Sequence, residues 1–188
     1  MAYVSSKAYL WTGLAGIAIA WAAVCASIAL SPQFSWQANA LSDLGHSVRS
    51  VVAPIFNFGL ALGGALLLLY AVGYLLPRAR LSGMLMAVAA FALQLVAVFD
   101  EVYGRLHFLV SIFFFTMLLA ALLAYALERR SRLALTSFLL GISTWILYWA
   151  GVYTAGIAVP EAVSALSTSA WIILDSAKAL GTSRIKRS

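Results

Sequence analysis

The residues of this chain that could do chemistry fall in three short stretches of an otherwise apolar sequence. They include both histidines and four of the six acidic residues. The members are Asp43 with His46, then Asp100, Glu101 and His107, and finally Glu161. Carboxylates and imidazoles are the groups that bind transition metals and that act as general acids and bases. These stretches are therefore the first candidates for a functional site.

Three kinds of chemistry are open to this set. His107, Asp100 and Asp43 could hold zinc with a water molecule in the open position, although two histidines are too few for a three-histidine site. Asp100 could instead orient His107 as a general base, with Ser42, Ser111 or water as the nucleophile and Asp43 positioning the substrate. Two imidazoles could also ligate a haem, but neither histidine lies well inside an apolar segment, which disfavours haem. The structural alternative is that Asp43 pins a loop and that His107 donates a hydrogen bond to Asp100. The sequence leaves the cofactor open.

A second set of polar residues could bind a lipid headgroup. Arg49 and Arg105 could clamp a phosphate or a carboxylate, because a guanidinium group binds both in a bidentate manner. The alternative is that both arginines are solvated loop residues. The other members that we place in this set are Asn39, His46, Asn57 and Glu161.

The composition requires a bilayer around most of the chain. Hydrophobic residues make up 64% of the 188 residues and charged residues only 10%, and the mean hydropathy is +0.98. A water-soluble domain could not bury that much apolar surface. Because a span needs about 20 apolar residues and satisfies its own backbone as a helix, the sequence predicts an all-α bundle of six transmembrane helices. The predicted helices cover about 8–30, 55–76, 81–99, 106–127, 133–155 and 160–180, within one transmembrane domain over residues 1–188.

The positive charges fall mainly on one side of this predicted bundle. Ten of the twelve Lys and Arg lie there, namely Lys7, Arg78, Arg80, Arg129, Arg130, Arg132, Lys178, Arg184, Lys186 and Arg187. By the positive-inside rule that side is cytoplasmic, so we expect a multi-pass protein of the cell membrane with both termini in the cytoplasm. The basic residues anchor helix ends, and we expect no nucleic-acid partner despite the net charge of +6. The three polar stretches then lie at the outer face. A single cysteine excludes a disulfide within the chain.

One long loop joins the first and second predicted helices on the outer side. We expect a short interfacial helix over Gln37–Leu44 that Gly45 stops, within an ordered loop packed over the mouth of the bundle. Asp43 should then lie within hydrogen-bonding or water-bridged reach of Asp100 and His107.

Two patterns inside the helices concern packing. Gly59 and Gly63 form a small-xxx-small pattern, for which packing within the chain is favoured over a dimer interface. Trp145, Tyr148, Trp149 and Tyr153 follow at helical spacing, which is typical of an interfacial aromatic belt, with a lipid or cofactor groove as the alternative.

A series of motifs runs in order along nearly the whole chain. They are Asn39-Ala-Leu-Ser-Asp-Leu-Gly45, Pro54-Ile-Phe-Asn-Phe-Gly59, Asp100, His107-Phe-Leu-Val-Ser111, Glu161 and Trp171. In these motifs the chain resembles the archaeal and bacterial membrane family known as domain of unknown function 998. It is similar, more distantly, to the six-helix eukaryotic family of damage-regulated autophagy modulators and a GPI-anchor-remodelling factor. The resemblance implies signature positions but no established reaction. Those positions are Asn39, Ser42, Asp43, Gly45, Asn57, Asp100, His107 and Glu161.

Two functions compete at this stage. The favoured one is a lipid-binding protein or a subunit of a membrane complex, with membrane lipids as partners and a homo-oligomer or larger assembly as its setting, because no complete catalytic motif is present. The alternative is a membrane-embedded hydrolase or transferase that acts on lipid headgroups at the outer leaflet. A lateral opening that leads to the polar residues would favour the enzyme, and a closed, mutually satisfied cluster would favour a structural role.

Overall fold

The computed structural model describes residues 6–185 of the chain, and this part is helical with no β-strand. Lys186 and Arg187, which we predicted to be cytoplasmic, lie outside the described residues. The long helices are α1 (Ser6–Ala29), α2 (Ala53–Tyr70), α3 (Arg80–Val98), α4 (Arg105–Arg129), α5 (Arg132–Trp149) and α6 (Ala158–Ile185). A π-helical turn, Ala71–Leu75, continues α2, and 3₁₀ turns lie at Ser42–Gly45 and Glu101–Tyr103.

Apart from the long loop between α1 and α2, the helices are joined by short connections, and successive helices are neighbours. At the tightest connection, Arg130 adopts a left-handed conformation with φ of 49°, which ends α4. Ser131 then caps α5 by accepting a hydrogen bond from the Ala134 N–H at 3.2 Å. Each helix packs against the next along the chain, and α6 also packs against α1 and α4, which closes the bundle.

Five of these helices are long and apolar enough to cross a membrane. They are Lys7–Ala29, Ala53–Leu75 with its π-helical turn, Arg80–Val98, Arg105–Arg129 and Arg132–Trp149. Helix α6 is not among them, although it has 28 residues. Its polarity comes partly from hydroxyl residues that are buried inside the bundle, namely Ser164, Ser167, Thr168 and Ser176.

Helix α5 is shorter than the sequence predicted. It ends at Trp149 rather than near residue 155. Gly151 adopts a positive φ of 66°, a conformation that glycine takes readily and that breaks the helical run. Residues 150–157 therefore form a non-helical connection to α6.

The interfacial helix predicted over Gln37–Leu44 is absent, and only the 3₁₀ turn Ser42–Gly45 forms there. Local side-chain bonds replace the helix, because Asn39 Oδ1 accepts from the Ser35 N–H at 2.9 Å and Asp43 accepts from a loop N–H. Gly45 is not a left-handed helix stop either, since its φ is not positive. A Cβ atom there would lie 2.4 Å from Asn57 Oδ1, so glycine lets the loop approach α2 closely.

The small-xxx-small pattern packs α2 against α1, as predicted for contacts within the chain. A Cβ atom added at Gly59 would lie 2.0 Å from the Cβ of Ala23, and one at Gly63 would lie 2.9 Å from the Cβ of Ala20. Only hydrogen at these positions allows the two backbones to approach so closely.

Candidate functional site

The loop between α1 and α2, residues 30–52, is bonded to three separate elements at one end of the bundle. Its Trp36 carbonyl accepts from the Gly156 N–H at 2.8 Å, just before α6. Its Gly45 carbonyl accepts from Asn57 Nδ2 of α2 at 2.8 Å. Its Ser42 Oγ donates to Glu101 Oε1 at 2.9 Å, in the turn between α3 and α4. The loop is therefore an ordered cap, and Asn57 serves to hold it in place.

Glu161 provides a fourth tie from the first turn of α6. The buried N–H of Leu41 donates to Glu161 Oε2 at 2.7 Å, and the Glu161 side chain is only 7% exposed. A carboxylate in the first turn of a helix also faces the positive end of the helix dipole. This residue thus joins α6 to the loop while it lines the cavity described below.

The carboxyl groups of Asp43 in the loop and of Glu101 in the turn between α3 and α4 face each other. Asp43 Oδ2 accepts from Asn39 Nδ2 at 2.7 Å and from the Ala40 N–H at 2.9 Å. Burial raises the pKa of Glu101 to about 7, and the hydrogen bond and negative charge of Asp43 add to this effect, whereas Ser42 and Arg49 oppose it. At neutral pH the Glu101 carboxyl is therefore protonated for part of the time.

Asp100 has a structural role in the turn between α3 and α4. Its carboxylate caps the 3₁₀ turn by accepting from the Val102 N–H at 2.9 Å, and it accepts from the Ser47 N–H of the loop at 3.3 Å. Burial alone would raise the pKa of Asp100, but the hydrogen bonds from Ser47 and Val102 lower it below the ordinary value.

The predicted Asp100–His107 pair does not form. Asp100 accepts hydrogen bonds from Ser47 and Val102, and neither of the hydrogen bonds given for His107 goes to Asp100. His107 Nδ1 lies 2.7 Å from the Phe99 carbonyl oxygen, and its Nε2 lies 3.3 Å from Ser111 Oγ. The reason is local: α3 ends at Val98, so the Phe99 carbonyl is not used by the helix and is free to accept from the imidazole.

The zinc set predicted from His107, Asp100 and Asp43 is not assembled. Within residues 6–185, no three His, Cys, Asp or Glu side chains are placed so that they could hold one metal ion. The carboxylate of Asp100 is directed to the backbone of its own turn and of the loop, and Asp43 faces Glu101. The three groups therefore have different partners.

A cavity of about 1250 Å³ opens beside these groups, between α4 and α5. Its end beside the loop is polar, and the polar residues there are Ser42, His46, Arg49, Glu101, His107, Ser111 and Glu161. Its walls farther along are apolar and include Ile112, Phe115, Leu119, Leu123, Phe138, Ile142 and Trp145. We call this cavity the α4–α5 groove. Phe108 and Trp149 on its lining are 51% and 68% exposed, so the groove is open at the side of the bundle.

The structure divides the predicted site residues into three groups. Those that line the groove are Ser42, His46, Arg49, His107 and Glu161. Asn39 and Asp43 lie in an adjoining cavity of about 230 Å³ that shares His46, Arg49 and Glu101 with the groove. Asn57, Asp100 and Arg105 line neither cavity. Arg105 is exposed, so the predicted clamp of two arginines is not formed, and only Arg49 faces the groove.

Sequence reasoning missed the part that Glu101 plays. Glu101 and Asp100 are adjacent, and nothing in the sequence distinguishes the carboxyl group that meets the loop from the one that caps the turn. The 3₁₀ turn decides this, because it directs Glu101 toward Ser42 and Asp100 toward backbone N–H groups. Trp145 and Trp149, predicted as belt residues, also line the groove, and Trp145 Nε1 donates to Ser164 Oγ at 2.9 Å.

The comparisons with known proteins point to one family. A family model with the description "Protein of unknown function (DUF998)" matches residues 14–177, which covers α2 to α5 and most of α1 and α6. No curated protein and no solved structure matches the chain. The more distant resemblance to the autophagy modulators therefore stays a prediction.

Proposed function

Because the chain belongs to the DUF998 family, whose function is unknown, we propose a function from the geometry of its groove. The protein binds a membrane lipid, with one acyl chain in the α4–α5 groove and the headgroup against the outer loop. The observation that carries this proposal is the division of one open groove into a polar outer end and apolar walls. An amphipathic ligand has the same division, and lipids are the amphipathic molecules that surround a membrane protein.

The apolar part of the groove has the length of an acyl chain in one leaflet. It extends along α4 from Ile112 to Leu123, which is roughly 16 Å at about 1.5 Å per helical residue. One leaflet contributes about half of the roughly 30 Å hydrocarbon core. The volume of about 1250 Å³ exceeds the upper range of about 1000 Å³ for small-molecule pockets, which suits a long ligand.

The polar end of the groove offers groups for a headgroup that contains a phosphate together with hydroxyl or amine groups. The Arg49 guanidinium can bind a phosphate, while Glu101 and Ser42 can accept hydrogen bonds from hydroxyl or amine groups. His46 adds an imidazole on the same wall.

The proposed orientation places this polar end at the outer leaflet. All six helices then span the membrane, both termini lie in the cytoplasm, and the basic side faces inward, as the positive-inside rule requires. Helix α6 is the sixth span, because its buried hydroxyls face other helices rather than lipid. An alkaline phosphatase fusion after Gly151 should be active, and one at the C-terminus should be inactive. The reverse result would overturn the orientation.

Lipid retention tests the proposed function directly. Ala120 lines the groove, and Ala120→Phe should fill it, whereas Ala22→Phe adds the same ring to an exposed position of α1 that lines no described cavity. Detergent-purified protein would be analysed for bound lipid by native mass spectrometry. We expect the wild-type protein and Ala22→Phe to retain lipid and Ala120→Phe to lose it. Equal lipid content in all three would contradict the proposal.

A further inference from the structure

We propose that His107 and Ser111 form a general base and nucleophile that cleave a carboxylic ester of the lipid in the α4–α5 groove. This inference rests on the proposed lipid binding and adds a reaction to it. The two residues are four apart in α4, so their side chains lie on one face of the helix. His107 Nε2 and Ser111 Oγ are 3.3 Å apart, and both residues line the groove.

The backbone decides which imidazole nitrogen can act as the base. A carbonyl oxygen can only accept a hydrogen bond, so the 2.7 Å contact to the Phe99 carbonyl requires a proton on His107 Nδ1. In the neutral imidazole, Nε2 then carries the lone pair and accepts from the Ser111 hydroxyl. The Phe99 carbonyl thus takes the orienting role that the sequence predicted for Asp100, and it also fixes the tautomer of the ring.

The surroundings keep this arrangement in place. The His107 side chain is 8% exposed, which limits its freedom to rotate. Phe99 lies directly after the end of α3, and α3 packs extensively against α4, so the carbonyl and the imidazole come from two elements that are held together. A base that is oriented by a third group, next to a hydroxyl, is the general arrangement of an activated serine.

The depth of Ser111 matches the position of an ester in a membrane lipid. Headgroup-binding residues lie at the outer end of the groove, and the apolar wall begins with Ile112 on the other side of Ser111 along α4. Ser111 is roughly 10 Å from Gly104 along the helix axis. A lipid that has its headgroup at the loop and its chain along Phe115 and Leu119 would place the intervening ester bond beside Ser111.

The reaction is acyl transfer followed by hydrolysis. Ser111 Oγ attacks the ester carbonyl carbon while its proton passes to His107 Nε2. The bond from that carbon to the leaving oxygen breaks, and the leaving oxygen takes the proton from His107 and departs as an alcohol. Water, the second substrate, then gives a proton to His107 Nε2 and attacks the acyl carbon. The bond from that carbon to Ser111 Oγ breaks, Ser111 Oγ takes the proton from His107, and the carboxylic acid is released.

The experiment uses the full-length protein in detergent with two probes. A small fluorophosphonate reports on an activated serine and needs no acyl chain, and peptide mapping locates the modified residue. The hexadecanoyl ester of 4-nitrophenol reports on turnover of a long-chain substrate. The variants are Ser111→Ala, His107→Gln and the double variant, with Ser143→Ala as the control because Ser143 is an exposed serine of α5 outside the groove.

The proposal expects labelling at Ser111 and ester turnover in the wild-type protein and in Ser143→Ala. Each single variant should lose at least about 100-fold in turnover, and the double variant should lose no more than the worse single variant, because the two groups act as a unit. Lipid content, circular dichroism and thermal unfolding of Ser111→Ala should match the wild type. If the wild-type protein retains lipid but shows neither labelling nor turnover, the proposed reaction of His107 and Ser111 is wrong, while the proposed lipid binding still stands. Labelling at Ser111 without bound lipid would instead contradict the proposed function.

Discussion

The bond between Glu161 and the loop gives the sharpest test of how the polar end is held together. The Leu41 N–H donates to Glu161 Oε2 at 2.7 Å, and the two residues are 8% and 7% exposed. Glu161→Met keeps a side chain of similar length but removes the acceptor, so the Leu41 N–H is left buried without a partner. Glu161→Gln keeps a carbonyl oxygen at the same place and serves as the matched control.

The expected effect follows from the cost of an unsatisfied buried donor. That cost is about 1–3 kcal/mol, and it falls on the docked loop only, since water satisfies the same N–H when the loop is displaced. Free energies of this size correspond to changes in the opening equilibrium of about 5- to 150-fold. Glu161→Met should therefore increase the population of the displaced loop by that factor, while Glu161→Gln should change it much less.

Native-state hydrogen exchange measures this opening at single amides. The Leu41 amide should exchange about 5- to 150-fold faster in Glu161→Met than in Glu161→Gln. The Ala158 amide, which donates to the Asn39 carbonyl at 3.0 Å, should speed up as well if the loop opens as one unit. The Ala89 amide in the core of α3 is the internal reference. Equal exchange rates of the Leu41 amide in the two variants would refute the claim that Glu161 holds the loop in place through the Leu41 N–H.

Three further predictions concern pH, the loop and helix packing. Glu101 has a pKa of about 7 in the folded protein against an ordinary value of 4.5, so its contribution to stability is fully present below pH 4.5 and is lost as pH rises to about 7. The unfolding temperature should thus fall between pH 5 and pH 8 by more in the wild type than in Glu101→Gln; an identical fall in both would show that Glu101 is not the group responsible. Asn57→Ala removes the donor to the Gly45 carbonyl and should lower the free energy of unfolding by about 1–3 kcal/mol in denaturant titrations, whereas no loss would mean that the loop is held without it. Gly59→Ala should lower the free energy of unfolding by about 1–3 kcal/mol through overpacking, since its Cβ would lie 2.0 Å from that of Ala23. Adding Ala23→Gly in the same chain should restore thermal stability. If it does not, the strain lies at another contact.

The apolar segments of the fold could be predicted from the sequence because they depend on local properties. A run of about 20 apolar residues has few alternatives to a helix in lipid. Proline and charge mark most of the ends, as Pro54 does in the first turn of α2. The end of α5 was missed because the apolar residues continue past Trp149 while the backbone turns at Gly151. Hydropathy detects the run of apolar residues but does not detect the backbone turn at Gly151.

The candidate site could be located by sequence only as a region. The loop and the turn between α3 and α4 were predicted to meet at one end of the bundle, and Ser42 and Glu101 do meet there. Which side chains pair was not predictable, because Asp100 and Glu101 are neighbours of the same chemical type. Their directions depend on a single 3₁₀ turn, and the predicted zinc set failed for the same reason.

By itself, the sequence determined that the chain is a helical membrane protein with its polar residues concentrated in a few short stretches, since composition and local periodicity suffice for both. Only the tertiary structure decided what those residues face. The groove lies between α4 and α5 beside the loop, and no local pattern encodes a gap between two helices. The partner of His107 is a backbone carbonyl, and every residue has one, so only the end of α3 beside α4 could reveal that Phe99 supplies it.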